Sequence, residues 1–369
     1  MAKMYCVSII NCMRIDSLCF SWHGGNRVDS CSAKVRLLGA LLQSEGDDGT
    51  IRQGVPCVPC YTERQTMKRG DALLGLIGNT PLIPLFFEAE ERTVWGKCEF
   101  LNPSGSIKDR LARTIVLDAE QRGLIHADTT ILECTSGNTG IAFSMVGAAR
   151  GYRVAIVMSK RASGERRMII KHFGAELILF DEPGYQAGIE LTRQMAAENS
   201  NYFLPCQFEN QLNAMDHEHE TGPEILNDAP GPIDVFVTGY GTGGTLSGCS
   251  RSLKAARKET QIYAMEPSES ALLAGEEACC HWIEGIAGGF VPPLLRGVEI
   301  DGTCKVTSPE AIEMTLRLNR EFGLLVGSSS GANVAAALRY ALALPKEAIV
   351  VTILCDRAER YFSTRLFHC

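Results

Sequence analysis

The sequence predicts an α/β fold of open, doubly wound, mostly parallel sheets covered by helices. Three observations predict it. Near-continuous apolar runs alternate with helical segments along most of the chain, the pattern of strands buried on both faces. Glycine-rich or hydroxyl-rich turns follow several of those runs. The length, 369 residues, corresponds to about two domains at roughly 150 residues each. The β-rich run 130–134 leads into a polar turn, 135–140, and a small-residue helix to about Arg150. Gly151 ends that helix as a C-cap, and 153–158 is the next strand. Residues 165–173 are helical, Gly174 stops them, and 175–180 return to strand. A strand at 233–238, a glycine loop at 239–244, a helix at 245–258 and a strand at 261–265 repeat the unit. Helices at 309–322 and 333–344 and a strand at 348–355 complete the pattern.

Composition narrows the class. Hydrophobic residues at 45% and charged residues at 21% suffice for a real core and exclude wholesale disorder. A net charge of -7 without any basic block argues against nucleic-acid and anionic-membrane partners. The longest apolar runs are too short to span a bilayer. Of fifteen cysteines, Cys6, Cys12, Cys19, Cys31, Cys57 and Cys60 crowd the first 60 residues. The others are scattered through mostly apolar stretches, like small buried hydrophobes, which points to a reduced, cytoplasmic protein. Residues 1–66 lack sustained periodicity and a secretory pattern, and are expected to form a poorly ordered extension with at most weak organellar-leader character. Cys57-Val-Pro-Cys60 lacks the βα context or second pair that a redox or metal reading needs. Met67 stands just before the first well-patterned segment. No metal site is assigned: His217-Glu-His219 sits in a charged run, and Cys279-Cys280 lacks further ligands at zinc spacing.

Four constellations carry chemistry. In Asn102-Pro-Ser-Gly-Ser-Ile-Lys-Asp-Arg110, Ser106 is expected to cap a helix with Asp109 at its third position. Lys108 then lies in the first turn, an unfavourable place for a cation, as a Schiff-base lysine would. Cys134-Thr-Ser-Gly-Asn-Thr-Gly140, between strand and helix, offers hydroxyls, an amide and backbone N–H groups to an anion of carboxylate size. Thr238-Gly-Tyr-Gly-Thr-Gly-Gly-Thr245 bares N–H groups at a helix start, which suits a phosphate. It also satisfies a dinucleotide fingerprint, with Glu266 near the place of a ribose-binding acid, so an NAD-dependent oxidoreductase stays open here. Gly327-Ser-Ser-Ser-Gly331 centres a hydrolase-like pattern on Ser329, with Asp356 and His368 following. Their close spacing disfavours a triad, leaving Ser329 as a neutral hydrogen-bonding group at a helix start.

Together these loops hold a covalent lysine, a carboxylate cradle, a phosphate cup and a neutral serine, the parts needed by pyridoxal phosphate bound to an amino acid. Residues 74–367 resemble the cysteine synthase (O-acetylserine sulfhydrylase) family of fold-type II pyridoxal-phosphate enzymes. The matching strings are Ile77-Gly-Asn-Thr-Pro81, 102–110, 135–140, 241–245, His281-Trp-Ile-Glu-Gly-Ile286 and Glu359-Arg-Tyr-Phe-Ser-Thr364. The resemblance implies two open doubly wound sheets with the active site between two domains: 67–100 plus 213–369, and a smaller mobile domain, 101–212. It implies that Lys108 forms the Schiff base and acts as catalytic base. Asn138 would meet the cofactor's 3′-oxygen, Gly241, Thr242, Gly243, Gly244 and Thr245 its phosphate, and Ser329 its pyridine nitrogen. Thr135, Ser136, Thr139 and Gln207 would receive the substrate carboxylate. The implied reaction is β-replacement of O-acetylserine by sulfide through an aminoacrylate, giving L-cysteine. A homodimer and a serine acetyltransferase partner are implied with it. Cystathionine β-synthase, relatives using O-phosphoserine or thiosulfate, and a catalytically idle binding relative remain alternatives. The chain departs from the family pattern at Cys206-Gln207, Gly327-Ser328 and Ser159-Lys160, and is short after Thr364.

Overall fold

The computed structural model describes residues 68–182 and 185–368, which belong to one compact unit beginning at Thr66. The expectations for residues 1–66, including the Cys57–Cys60 pair, lie outside the described residues. After a short helix α1 (Asp71–Leu74) come strands β1 (Leu82–Phe87) and β2 (Arg92–Cys98). Helix α2 (Lys108–Gln121) precedes three βα units: β3 (Thr130–Cys134) with α3 (Asn138–Arg150), β4 (Arg153–Ser159) with α4 (Gly164–His172), and β5 (Glu176–Phe180) with α5 (Gln186–Glu198). Strand β6 (Tyr202–Phe203) leads to α6 (Gln211–Asp216), a π-helical turn at His217–Thr221, and α7 (Gly222–Asp228). The remainder is β7 (Val235–Gly239), α8 (Gly244–Ala256), β8 (Gln261–Pro267), β9 (Gly302–Val306), α9 (Ser308–Glu321), α10 (Ser328–Ala343) and β10 (Val350–Leu354).

The strands form two sheets. One has six strands in the order β1-β2-β10-β7-β8-β9, the other four in the order β5-β4-β3-β6. All pairings are parallel except β1 with β2. Strand β10 is buried at every position, as expected of a central strand covered on both faces. Helices α9 and α10 pack on one face of the larger sheet through Leu318, Ala336 and Ala337 against Val237 and Phe87. Burying such a valine, leucine or phenylalanine contributes about 1.5–3 kcal/mol. A second core lies where α2 and α3 meet β3 and β4, around Ile115, Ile131, Phe143 and Ile156.

The strand-before-helix pattern matches the expectation closely at β3, α3 and β10. Helix α10 starts at Ser328, five positions before the expected 333, because Ser328, Ser329 and Ser330 enter the helix instead of a turn. Gly331 joins it because its Cβ position is filled by Ala311 and Thr315 of α9. The antiparallel β1–β2 hairpin was not expected. Pro84 interrupts the apolar stretch 82–87 and argues against a strand there, but β1 is an edge strand, where proline is tolerated, and β2 mixes polar and apolar residues. The capping of α2 also differs from the expected Ser106–Asp109 pair. Ile107 occupies the N-cap without a side-chain bond, and Asp109 instead accepts from the backbone N–H (2.6 Å) and hydroxyl of Ser104. Ser106 Oγ makes only a 3.3 Å contact with the Lys108 N–H. The tight turn that Gly105 makes at φ +87 brings Ser104 rather than Ser106 over the helix start.

Candidate active site

The site lies beyond the carboxyl ends of the strands, where ligands bind in open α/β sheets. The turn after β3 supplies Thr135, Ser136, Asn138 and Thr139, the turn after β7 supplies Gly241–Gly243 and Thr245, and Cys355 follows β10. Two neighbouring cavities share Lys108, Asn138, Gly241, Thr242, Gly285 and Ile286, so they form one cleft. Every site residue expected from the sequence lines it except Gly244, which sits behind the wall of the cup against Asn213.

Lys108 is the first residue of α2. Burial lowers its ammonium pKa below the ordinary lysine range, against the opposing pull of Cys355 and Asp356. A desolvated amine of this kind is a nucleophile and base. Among the described residues Lys108 makes no ion pair, and burial prevails over the pull of Asp356. Facing it, Thr139 Oγ1 donates to Gln207 Oε1 at 2.7 Å, and Gln207 Nε2 donates to the Cys134 carbonyl at 2.7 Å. This network fixes the Gln207 amide beside Thr135, Ser136 and Thr139 on the wall of the cleft. The Tyr185 ring lies beyond it, its hydroxyl bonded to Ser136 and its pKa raised by burial.

The cup on the opposite side is made of bare backbone. A Cβ on Gly241 would come within 2.5 Å of the Gly285 carbonyl, and Gly243 holds φ +86, so neither position accepts a side chain. The loop opens into α8, whose first-turn N–H groups lack intrahelical partners. Such a cradle fits a phosphate. Asn213 couples cup to cradle, donating to Thr242 Oγ1 and to the Gln207 carbonyl, each at 2.9 Å. The π-helical turn sets His217 behind the cup, its Nε2 3.2 Å from Thr245 Oγ1. Burial, with the Arg110 charge nearby, pushes His217 down to about 3, so the ring is neutral.

Several of these residues were not legible in the sequence. Asn213 and His217 belong to a stretch that resembles an ordinary polar helix. Asp356 and Arg360 clasp Asn138: its amide donates to Asp356 Oδ2 at 2.6 Å and accepts from Arg360 at 2.5 Å, while Tyr361 also bonds Asp356. Asp356 is therefore engaged with Asn138 and Tyr361, and His368 is exposed, so no hydrolase triad forms. Glu266 is equally committed, accepting the Tyr240 hydroxyl at 2.6 Å and the N–H groups of Leu273 and Ala274. It is fully buried and lines neither part of the cleft, which removes the ribose-binding role required by the NAD reading.

Beneath the cradle, Glu133 accepts the N–H of Cys134 (2.9 Å) and of Gln207 (3.1 Å). Burial outweighs these two donors and pushes its carboxyl from the usual 4.5 up to about 8. A raised carboxylate pKa stabilises the fold fully below its unfolded value, and that stability is lost as pH rises through the folded value. Glu133→Gln should therefore flatten the pH dependence of Tm between about pH 5 and 8. An unchanged slope in thermal melts across that range would show that Glu133 is ionised in the fold.

A bare-backbone glycine cup, a desolvated lysine and a hydroxyl-lined turn in one cleft fit an enzyme that holds a phosphorylated cofactor. The chain belongs to the pyridoxal-phosphate-dependent enzyme family, whose pattern matches residues 73–356. It is 44% identical over 301 residues to O-ureido-L-serine synthase of Streptomyces lavendulae, covering 80% of this chain and 92% of that protein. It is 42% identical over 303 residues to cysteine synthase of Staphylococcus aureus, covering 80% and 97%. Among solved structures it resembles the cysteine synthase of Entamoeba histolytica at a TM-score of 0.76 and 36% identity, covering 87% of this chain and 94% of that one.

Proposed function

We propose that the protein catalyses β-replacement of O-acetyl-L-serine by sulfide, giving L-cysteine and acetate. The observation that carries this reading is the placement of one desolvated lysine between a carboxylate cradle and a glycine phosphate cup. Pyridoxal phosphate, when bound, supplies the electron sink that makes the Cα proton of an amino acid removable. Gly241, Thr242, Gly243, Gly244 and Thr245 would hold its phosphate, Asn138 its 3′-oxygen and Ser329 its pyridine nitrogen. Ser329 is neutral, so unlike a carboxylate it does not enforce pyridine protonation. That weaker sink suits proton loss coupled to departure of a β-substituent. Thr135, Ser136, Thr139 and Gln207 orient the substrate by its carboxylate, bringing its Cα–H toward Lys108. The uncharged Lys108 amine takes the Cα proton and returns it to Cα after the nucleophile has added at Cβ. Water exclusion by closure of the turn 135–140 and the lobe 101–212 would limit hydrolysis between those events.

Formation of O-ureido-L-serine is the second reading, favoured by the 44% identity to the enzyme of that name. It needs the same donor side of the site and differs in the nucleophile. A panel of donors (O-acetylserine, O-phosphoserine, serine) against acceptors (sulfide, thiosulfate, cyanide, homocysteine, hydroxyurea) separates the readings. The expected outcome is the highest kcat/KM for O-acetylserine with sulfide, and a higher value for any other pair would displace the reading. The working unit is proposed to be a homodimer, which sedimentation velocity tests. Association with a serine acetyltransferase is proposed with it, and co-purification of the two proteins tests that.

A further inference from the structure

Another cavity opens beside the cleft, and its wall is strongly cationic. It encloses about 440 Å³, within the range of small-molecule sites. One wall is the β4–α4 connection and the first turn of α4, which bring Lys160, Arg161, Arg166 and Arg167. His281, Trp282, Glu284 and Arg365 complete the lining. The lining thus has five cationic side chains and one carboxylate. Glu284 is engaged with Arg166 at 3.1 Å, and Lys160 with Asp181 at 3.0 Å. Among the described residues, Arg161 and Arg167 make no ion pair. Arg365 stacks 4.3 Å from the Trp282 ring centroid.

This arrangement is not what folding alone requires. Exposed like charges gathered around one concavity repel one another, and a cleft walled by one sign of charge focuses its field on whatever enters. Arg166 is anchored from behind: it is 3% exposed, its Nε donates to Ser163 Oγ at 2.9 Å, and its guanidinium lies over the Tyr361 ring. Arg166 also lines the substrate side of the catalytic cleft, so the two cavities adjoin through it.

We propose that this vestibule is a binding site for a small polyanion carrying two or more phosphate or carboxylate groups. The phosphate cup and the carboxylate cradle each take one anionic group, whereas the vestibule disperses several cations over a wider space. Its occupant stands across the route to Lys108 and competes with entry of the amino-acid substrate. That kinetic consequence rests on the proposed function. The binding does not.

The test is calorimetric titration of the full-length, cofactor-loaded enzyme with inorganic pyrophosphate and with citrate, at about 10 mM ionic strength where surface charges are little screened. Saturable binding of at least one of them is expected. The double variant Arg161→Gln/Arg167→Gln should weaken it by about tenfold or more and leave kcat at saturating O-acetylserine unchanged. Quenching of Trp282 fluorescence, absent in Trp282→Phe, reports the same event without turnover. Tighter binding of pyrophosphate marks a phosphate-bearing ligand, and tighter binding of citrate a polycarboxylate; either supports the site. No saturable binding of either probe, or equal binding by the double variant, overturns it. In kinetics, pyrophosphate should raise KM for the amino-acid donor without lowering kcat. If the β-replacement reading fails, the calorimetric and fluorescence results still decide the vestibule.

Discussion

Replacing Lys108 by alanine is expected to lower kcat by at least about 10⁴-fold, because in the proposed reaction one amine would both anchor the cofactor and carry the proton. The fold should survive. Lys108 makes no ion pair among the described residues, and burial disfavours its charged form, so removing the ammonium orphans no partner. Thermal melts and circular dichroism should stay close to those of the native protein, within about 1 kcal/mol. Lys108→Arg should be nearly as inactive, since a guanidinium keeps its proton throughout the working pH range. Both variants should also lack the visible absorption of cofactor joined to a lysine. Steady-state assays with O-acetylserine and sulfide decide the matter, and turnover within about tenfold of native by either variant would remove Lys108 from the mechanism.

Lys108 was legible in the sequence because it broke a local rule: a cation at a helix N-terminus has no structural benefit. The cup was legible through its glycines, whose bare backbone the structure explains at Gly241 and Gly243. The cradle was legible as a hydroxyl-rich turn between a strand and a helix. What stayed hidden were residues whose role depends on distant partners. Asp356 and Arg360 reach Asn138 across more than 200 positions of chain, and no periodicity encodes that. Asn213 and His217 act from behind the ligand-facing surface, where a polar side chain in a helix resembles a solvated one. Strand β10, Val-Val-Thr-Ile-Leu, was legible because burial on both faces leaves a nearly unbroken apolar run, whereas β2 mixes polar and apolar residues and Pro84 interrupts the apolar stretch of the edge strand β1.

Arg110→Met is expected to destabilise the protein by about 3–5 kcal/mol, the cost of orphaning buried charges. Arg110 is fully buried two residues after Lys108. It donates to Glu99 through Nε and Nη2 at 2.7 and 2.8 Å and to Glu224 at 2.9 and 2.7 Å. Glu99 also accepts from Thr80 at 2.7 Å and Asn102 at 2.8 Å, and Lys97 lies 2.8 Å from Glu224. The network ties the first turn of α2 to the end of β2 and to α7. Glu99→Leu combined with Arg110→Met should recover part of the loss, because the pair leaves together and its members are coupled. Urea denaturation of the single and double variants measures this, and strict additivity would deny the coupling. The network also sets the acid limit. Burial opposes ionisation of both carboxylates, but Arg110 and the other donors prevail, holding Glu99 below its usual range and Glu224 down to about 2. Their contribution is present above the usual 4.5 and is lost as pH falls through the lowered values. Without Arg110 those carboxylates take up protons at higher pH, so acid unfolding of Arg110→Met should begin at a higher pH than in the native protein. Because Lys108 shares that first turn, kcat should fall as well, and a variant that loses stability but keeps kcat would show that the turn is positioned by α2 packing alone.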